Sequence, residues 1–274
     1  MKIYLYEDRK DVYIAAYYPK AAKRPMPAVL ICPGGGYYIV GTTEGRPVSD
    51  KFTDAGYAAF ILHYTVGDKA AFGPGGFKDF APAQDLDAAM RLLQKNADEY
   101  GINNERIALA GFSAGGHLCA AWCFSGAYTD SGLLPFALIL AYPMAGGADK
   151  DYDIARMAYT DDPAVKRLPT FLWHAKDDNV VPFHASENLA ARLAAEGIPY
   201  TFLAYEHGIH ARPFFDPDWF YKALDWLAAI KKTKGTSPFV FVFPSPFVFR
   251  IKTQGTSPNV LKYIYVLQDT PEEF

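Results

Sequence analysis

The sequence predicts an α/β fold in which a mostly parallel central sheet is flanked by helices. Short apolar runs alternate with helix-like segments between residues 28 and 232, an order that is typical of parallel sheets covered on both faces. The chain has 274 residues, of which 50% are hydrophobic, so it is long enough to bury a large core within one domain. Ligands bind at the carboxyl ends of the strands in such sheets, so functional side chains are expected on the loops that follow them.

The predicted elements follow this alternation in order. A first strand over 28–31 is an apolar run that ends in glycines, and a second over 57–64 follows a helix-like segment, 46–56. A longer helix is predicted over 81–101, because its apolar residues recur at helical spacing and Gly101 provides a stop. Further strands are predicted over 106–112, 136–143, 170–175 and 200–205, and further helices from Ala114 onward, over 184–197 and over 218–232.

Residues 233–274 break this pattern and are predicted to extend an α/β domain that covers 1–232. The extension is rich in Phe, Val and Pro and contains the near-repeats KGTSP at 234–238 and QGTSP at 254–258. Left exposed, such a segment would promote aggregation. It is interpreted as an added β-hairpin, a contact in a homo-oligomer, or a tail foreign to the domain, and no catalytic role is assigned to it.

Composition disfavours several classes of partner. A formal net charge of −3 offers no basic stripe for nucleic acid, and there is no run of about 18 apolar residues to span a membrane. The first residues mix charges among apolar side chains, unlike a secretion signal, and the odd set Cys32, Cys119 and Cys123 is typical of a reduced compartment. We therefore expect a cytoplasmic protein, unless a leader peptide has been removed. No residue cluster has metal-ligand spacing, so neither metal nor cofactor is expected.

The strongest functional signal is the G-x-S-x-G motif at 111–115, which centres on Ser113. It lies between a predicted strand and a predicted helix, where this motif forms a tight turn that exposes the serine hydroxyl. At the start of that helix, the amide of Ala114 can face developing negative charge. A serine hydroxyl is a weak nucleophile, so it needs a histidine base that is itself oriented by a carboxylate.

Candidates for the acid and the base follow later strands in the required order. Asp177 and Asp178 come after the fifth predicted strand, and His207 and His210 come after the sixth. Because the members of each pair are close in sequence, position along the chain leaves both choices open.

A run of three glycines, 34–36, follows the first predicted strand. Residues without side chains let backbone amides approach a substrate oxygen closely, as an oxyanion hole requires. A lone glycine run is more often a turn. Upstream of the serine motif and in the right order, it is interpreted as an oxyanion loop.

The segments PGGGY, GFSAGGHL, FLWHAKDDNVVPFHAS and YEHGIH together resemble the α/β-hydrolase superfamily. Within it they look like the small esterases described as acetyl esterase, acetylxylan esterase or xylan esterase/lipase-like. The resemblance covers about residues 25–230 and implies an α/β-hydrolase fold with a short cap. It also implies a Ser-His-Asp triad.

The resemblance assigns roles to individual residues. It implies Ser113 as nucleophile, Asp178 as acid and His210 as base, because the family's acid precedes x-Val-Val-Pro and its base ends a Gly-x-His run. The oxyanion donors that it implies are the amides of Gly35, Gly36 and Ala114. The chain departs from the family at two positions, with Pro33 in place of a histidine and Ala211 in place of a frequent glycine.

Other residues invite a functional interpretation. His117, on the helix after the serine motif, and His174, in an apolar strand, are interpreted as structural, and His63 as a packing residue. Tyr37 is a candidate substrate-binding residue at the acyl pocket. Glu44 either tethers the glycine loop or is a solvated carboxylate.

The segment 144–168, where caps are often inserted, is short and polar, and the glycine-rich loop 67–80 is a second candidate rim. A small cap predicts an open site for a small acyl group on a bulky alcohol. The sequence therefore predicts a serine carboxylesterase for short-chain acyl esters, with a small-molecule ester or an acetylated xylo-oligosaccharide as its partner. The alternatives are a lipase, a feruloyl esterase or a peptidase on the same scaffold, or a binding protein with this fold.

Overall fold

The computed structural model describes residues 1–71, 76–145, 153–214 and 218–230, together with the backbone of residues 263–266. The strands in this part of the chain are β1 Lys2–Tyr4, β2 Tyr13–Tyr17, β3 Met26–Cys32, β4 Ala58–His63, β5 Ile102–Phe112, β6 Ala137–Ala141, β7 Thr170–Ala175, β8 Tyr200–Tyr205 and β9 Tyr263–Val266. They form one sheet in the order β1-β2-β4-β3-β5-β6-β7-β8-β9. The seven strands β3 to β9 run parallel to one another. At one end of the sheet β2 pairs antiparallel with β4, and β1 pairs antiparallel with β2.

Helices connect the parallel strands across both faces of the sheet. They are α1 Arg46–Asp54, α2 Ala81–Lys95, α3 Ala97–Tyr100, α4 Ala114–Phe124, α5 His184–Ala195 and α6 Asp218–Ala229, and single 3₁₀ turns lie at Gly67–Lys69, Ser131–Leu133 and Val165–Arg167. None of the helices in the described part of the chain has the length and apolar character that crossing a membrane requires.

The core has two layers because the central strands are apolar on both sides. In β3, Ala28, Leu30 and Cys32 belong to one buried cluster, and Val29 and Ile31 belong to the other. Apolar residues of α2, α4 and α5 complete the first cluster, and residues of α1 and α6 complete the second. The sheet is therefore buried between two helical layers, with its carboxyl edge carrying the loops.

The predicted fold class is confirmed, and all six predicted strands are present, two of them, β7 and β8, with the predicted ends and the other four with adjusted ends. The helix predicted over 81–101 is divided at Asn96 into α2 and α3, and Gly101 ends it with φ 64°. The sequence analysis missed β1 and β2. β1 spans three residues with exposed ends, so it is too short to show a recognisable apolar run. β2 is an apolar run, Tyr13–Tyr17, paired between β1 and β4, that the sequence analysis did not assign to the sheet.

Parts of the predicted segments lie outside the described residues. They are 72–75 of the rim loop, 146–152 of the cap, the last two residues of the final predicted helix, 231–232, and residues 233–262 and 267–274 of the predicted extension. The described part of the extension is β9, which pairs parallel with β8. The domain boundary at residue 232 stays a prediction.

Candidate active site

Ser113 occupies a tight turn between β5 and α4. Its backbone has φ 51° and ψ −118°, a region that residues with side chains rarely adopt. The flanking glycines are required sterically, because a Cβ at Gly111 would overlap the carbonyl oxygen of Gly115, and a Cβ at Gly115 would overlap that of Cys32. The turn therefore places the serine hydroxyl at the carboxyl edge of the sheet.

Two loops bring a histidine and an aspartate to this serine. Nε2 of His210, after β8, lies 2.9 Å from Oγ of Ser113, and its Nδ1 lies 2.7 Å from Oδ2 of Asp178, after β7. The ionised carboxylate accepts from Nδ1–H, which leaves Nε2 able to take the serine proton. The three residues that the resemblance implies are thus joined in one hydrogen-bonded series.

The carboxylate of Asp178 is buried among four donors. Oδ1 accepts from the amides of Val180 and Val181 at 2.9 Å each, and Oδ2 lies 2.7 Å from Nδ1 of His210 and 3.3 Å from Nε2 of His174. Burial by itself raises the pKa of Asp178. The hydrogen bonds from the two histidines and the two amides outweigh burial and hold this pKa below its usual value. The acid therefore stays ionised wherever His210 can act as a base.

The neighbouring acid and base candidates form a separate pair. Nδ1 of His207 lies 2.8 Å from Oδ2 of Asp177, whose Oδ1 accepts from the amide of Gly208 at 2.8 Å. The hydrogen bond from His207, followed by that from Gly208, lowers the pKa of Asp177. The side chain of His207 is 81% exposed, against 8% for His210. Of the four candidates, Asp178 and His210 are the two that the structure joins to the serine.

The glycine loop after β3 runs directly against the serine. A Cβ at Gly34 would lie 2.8 Å from Cβ of Ser113. Gly35 and Gly36 have φ values of 122° and 63°, in the region that favours glycine. The loop thus places main chain, rather than side chains, beside the serine. Ala114 is the first residue of α4, so its amide has no acceptor within the helix.

Glu44 holds the glycine loop from within the protein. Glu44 is 1% exposed, and its Oε2 accepts a hydrogen bond from the amide of Gly34 at 2.6 Å. Burial raises the pKa of Glu44, and the Gly34 amide, the Tyr142 hydroxyl and the charge of His210 act in the opposite direction. The tether is thus the correct one of the two interpretations, and the solvated carboxylate is wrong.

Sequence analysis missed the contacts of two residues in the site. Tyr142, after β6, has φ 34°, and its ring centroid lies 4.8 Å from that of His210. His174 is buried, as predicted for a core residue, but it also contacts Asp178. The Tyr142–His210 contact joins loops that are distant in the chain. His174 and Asp178 are only four residues apart, but their contact depends on how the chain turns after β7, which no sequence motif used above describes.

Tyr37 turns its side chain into the protein. It is 6% exposed, and its hydroxyl lies 2.7 Å from Nδ1 of His117. Burial lowers the pKa of His117 to about 3, so this imidazole is neutral near pH 7 and has a structural position. The role of Tyr37 in substrate binding stays a prediction. Because its side chain is buried, its main chain, which continues the glycine loop, is the part nearer the site.

Exposed apolar side chains lie on the loops that carry the site. Tyr38 is 82% exposed, and its ring Cδ2 would lie 3.3 Å from a Cβ at Gly36. The other exposed apolar residues on these loops are Ile39, Val180 and Ile209. A group of such residues beside a reactive serine is typical of a ligand-binding surface.

In the part of the chain that the structure describes, no group of three or more His, Cys, Asp or Glu residues is placed to hold a metal ion. Cys32, Cys119 and Cys123 are buried and are not disulfide-bonded.

Residues 14–132 match the sequence model of the family described as BD-FAE. An acetylxylan esterase of Xylanibacter ruminicola is 31% identical over 118 residues, which cover 43% of this chain and 22% of that protein. The chain spans about a third or less of the length of the curated relatives that it matches first.

Two solved structures share the fold over most of both chains. One is an α/β-hydrolase enzyme from a Medee basin deep-sea metagenome library, with 27% identity and a TM-score of 0.69, covering 83% of this chain and 95% of that chain. The other is an acetyl ester-xyloside bifunctional hydrolase from Caldicellulosiruptor lactoaceticus, with 27% identity and a TM-score of 0.66 at the same coverage.

The strand order, the serine turn and these similarities show that the chain has the α/β-hydrolase fold. The proteins that it resembles include an acetylxylan esterase and an acetyl ester-xyloside hydrolase.

Proposed function

We propose that the chain is a serine carboxylesterase that removes short acyl groups, chiefly acetyl groups, from acetylated sugars or xylo-oligosaccharides. The proposal rests above all on the hydrogen-bonded series of Ser113, His210 and Asp178 beside a glycine loop. The similarity to an acetylxylan esterase and to an acetyl ester-xyloside hydrolase supports the substrate class.

The first step is acylation of the serine. Oγ of Ser113 attacks the ester carbonyl carbon while Nε2 of His210 takes the hydroxyl proton. The carbonyl oxygen becomes negatively charged, and the amides of Gly35, Gly36 and Ala114 donate hydrogen bonds to it. Each donor is expected to lower the barrier by about 3–4 kcal/mol.

The remaining steps return the enzyme to its starting state. The imidazolium of His210 protonates the alcohol oxygen as the ester C–O bond breaks, which leaves the acyl group on Ser113. His210 then takes a proton from water, the hydroxide attacks the acyl-enzyme, and the proton passes to the departing serine oxygen as the acid leaves. Asp178 holds the imidazole in the required tautomer and stabilises its charged form.

The exposed apolar side chains on the loops that carry the site favour an ester whose alcohol portion is bulky. The ring of Tyr38 lies over the glycine loop and is open to solvent. An aromatic ring in this position can pack against the apolar face of a sugar ring. The acetyl group would enter on the side of the glycine loop, where the main chain approaches Ser113 closely.

The test is a series of p-nitrophenyl acetate, butyrate, octanoate and laurate, assayed with the purified chain and with Ser113→Ala. We expect the highest kcat/KM for acetate or butyrate, and a loss on the order of 10⁶-fold in kcat for the variant. Wild-type activity in Ser113→Ala would refute the nucleophile. A maximum at octanoate or laurate would indicate a lipase, and inactivity on every ester would favour a binding protein.

The substrate class needs a second comparison. Acetylated xylo-oligosaccharides and methyl ferulate, assayed side by side, separate a sugar deacetylase from a feruloyl esterase, and a dipeptide p-nitroanilide tests for a peptidase. The proposal expects kcat/KM to be highest for the acetylated oligosaccharides. The cytoplasmic location and a homo-oligomer formed through residues 233–274 stay predictions.

A further inference from the structure

His174 is a second imidazole on the carboxylate of Asp178, and the mechanism above does not use it. It lies on β7 and is fully buried. Its Nε2 lies 3.3 Å from Oδ2 of Asp178 and 3.1 Å from the carbonyl oxygen of Val181. Its Nδ1 lies 2.8 Å from Oγ of Ser186 in α5. The carboxylate oxygen that faces His210 is therefore shared with His174.

The neighbours of His174 determine where its proton lies. Carbonyl and carboxylate oxygens only accept hydrogen bonds, so Nε2, which faces one of each, must carry a hydrogen. In the neutral imidazole Nδ1 is then an acceptor, and the hydroxyl of Ser186 donates to it. The single Nε2–H of His174 is consequently shared between the Val181 carbonyl oxygen at 3.1 Å and Oδ2 of Asp178 at 3.3 Å, in both the neutral and the protonated form of the imidazole.

We propose that His174, held by Ser186, is a positioning residue for the hydrolysis proposed above. By donating from Nε2, it fixes the carboxylate of Asp178 in the orientation that faces His210 and keeps that carboxylate ionised at the acid end of the working pH range. His174 acts on the serine only through Asp178 and His210. The inference rests on the proposed function.

The electrostatic consequence has a definite sign. Burial raises the pKa of Asp178, and the hydrogen bond from His174 is the first of those that lower it. Without this donor the carboxylate binds a proton at higher pH. More of its charge also falls on the shared oxygen, so His210 is held more firmly as imidazolium. Because three other donors keep Asp178 ionised, it is the firmer hold on the imidazolium that moves the acid limb of the pH profile of kcat/KM to higher pH.

Other titratable groups lie around the pair. Facing it are His210 from the loop after β8 and Tyr142 from the loop after β6, with Glu44 beside Tyr142. Burial raises the pKa of Tyr142 well above its usual value, so it stays neutral throughout the assay range. Asp177 and His207 form the exposed pair on the adjoining loops. These groups are unchanged in each variant below, so a shift between variants reports on His174.

The variants separate hydrogen bonding from packing. His174→Phe keeps a ring of similar size without either nitrogen, and His174→Gln keeps an N–H donor. For His174→Phe we expect kcat on p-nitrophenyl acetate to fall about ten- to hundredfold with KM within about twofold, and the acid limb to rise by about half to one pH unit. His174→Gln is expected to restore most of both values.

Two further variants serve as control and as second test. His117→Phe replaces another fully buried histidine, on α4, whose Nδ1 faces Tyr37, and it is expected to keep the acid limb of the wild type. Ser186→Ala leaves the imidazole of His174 in place but frees its Nδ1. It is expected to shift the acid limb in the same direction by a smaller amount, and it decides the question if His174→Phe does not fold.

Nitrogen NMR of histidine-labelled protein tests the hydrogen-bond pattern without any turnover. We expect the proton of His174 on Nε2, and a displaced Nδ1–H resonance of His210 in His174→Phe. A proton on Nδ1 of His174 overturns the proposal, as does an acid limb that stays at the wild-type pH in every His174 and Ser186 variant that folds. If the wild type hydrolyses no ester but these NMR signals appear, the proposed function fails while the positioning of Asp178 stands.

Discussion

The approach of the glycine loop to the serine can be tested with Gly34→Ala. The φ of Gly34 lies outside the left-handed region, so alanine is allowed by the backbone and the effect is steric. Its Cβ would lie 2.8 Å from Cβ of Ser113, 2.7 Å from Oε2 of Glu44 and 3.0 Å from the Phe112 carbonyl oxygen. Carbon atoms in contact are normally at least about 3.5 Å apart, so roughly 0.7 Å must open between loop and serine.

The magnitude follows from this displacement. Overpacking of a close-packed site costs about 1–3 kcal/mol of stability, and a misplacement near 1 Å at a reacting centre costs roughly 10²-fold in rate. We therefore expect Gly34→Ala to lower kcat on p-nitrophenyl acetate by about ten- to hundredfold and the free energy of unfolding by about 1–3 kcal/mol. The measurements are steady-state kinetics and urea unfolding.

The matched control is Gly45→Ala, in the same loop region. A Cβ at Gly45 would meet its nearest atom, the Gly41 carbonyl oxygen, at 3.4 Å, an ordinary contact. Its kcat is expected to match the wild type, and its free energy of unfolding to fall by less than about 1 kcal/mol, because Gly45 is the N-cap of α1. The steric reasoning fails if Gly34→Ala retains wild-type kcat and stability, or if Gly45→Ala loses as much of both.

Three further predictions follow from the site. Burial raises the folded-state pKa of Glu44, so the wild type loses stability as pH rises above the unfolded pKa of about 4.3 towards the higher folded pKa. Glu44→Gln should therefore gain free energy of unfolding relative to wild type as pH rises from about 4.3, measured by urea unfolding, and a pH-independent difference would contradict this. His207→Ala should keep wild-type kcat because its side chain is 81% exposed, whereas His210→Ala should lose about 10⁴-fold or more; the reverse pattern would exchange the two assignments. Tyr38→Ala should raise KM for an acetylated xylo-oligosaccharide about three- to tenfold with kcat on p-nitrophenyl acetate unchanged, and Tyr221→Ala, another exposed tyrosine, should change neither.

The parts of the site that could be predicted from sequence depend on contiguous residues. The turn at Ser113 is one such part, because the glycines at positions 111 and 115 are needed for close contacts within a few residues and against β3. The parallel strands were recognisable for a similar reason, since burial on both faces requires a continuous apolar run. The edge strand β1 was missed because three residues with exposed ends form no such run, whereas β2 carries an apolar run that was not assigned to the sheet.

The choice between neighbouring candidates was not accessible in the same way. Asp177 and Asp178 are consecutive residues, and only the direction in which each side chain leaves the loop after β7 separates them. The structure directs Asp177 to the exposed His207 and Asp178 to the buried His210. The resemblance implied this choice through a family pattern.

By itself, the sequence determined the fold class, the nucleophile turn and the glycine loop, because apolar periodicity and local glycine sterics are properties of short segments. Residue spacing left His207 and His210 open as the base, and the tertiary structure shows that His210, 97 residues from Ser113 in the chain, is the imidazole that reaches it. That contact exists because parallel strands bring loops that are distant in sequence to one edge of the sheet. The structure also decided that Glu44 holds the glycine loop and that His174 shares the carboxylate of Asp178, because the turns of these loops bring residues only ten and four positions apart into contact.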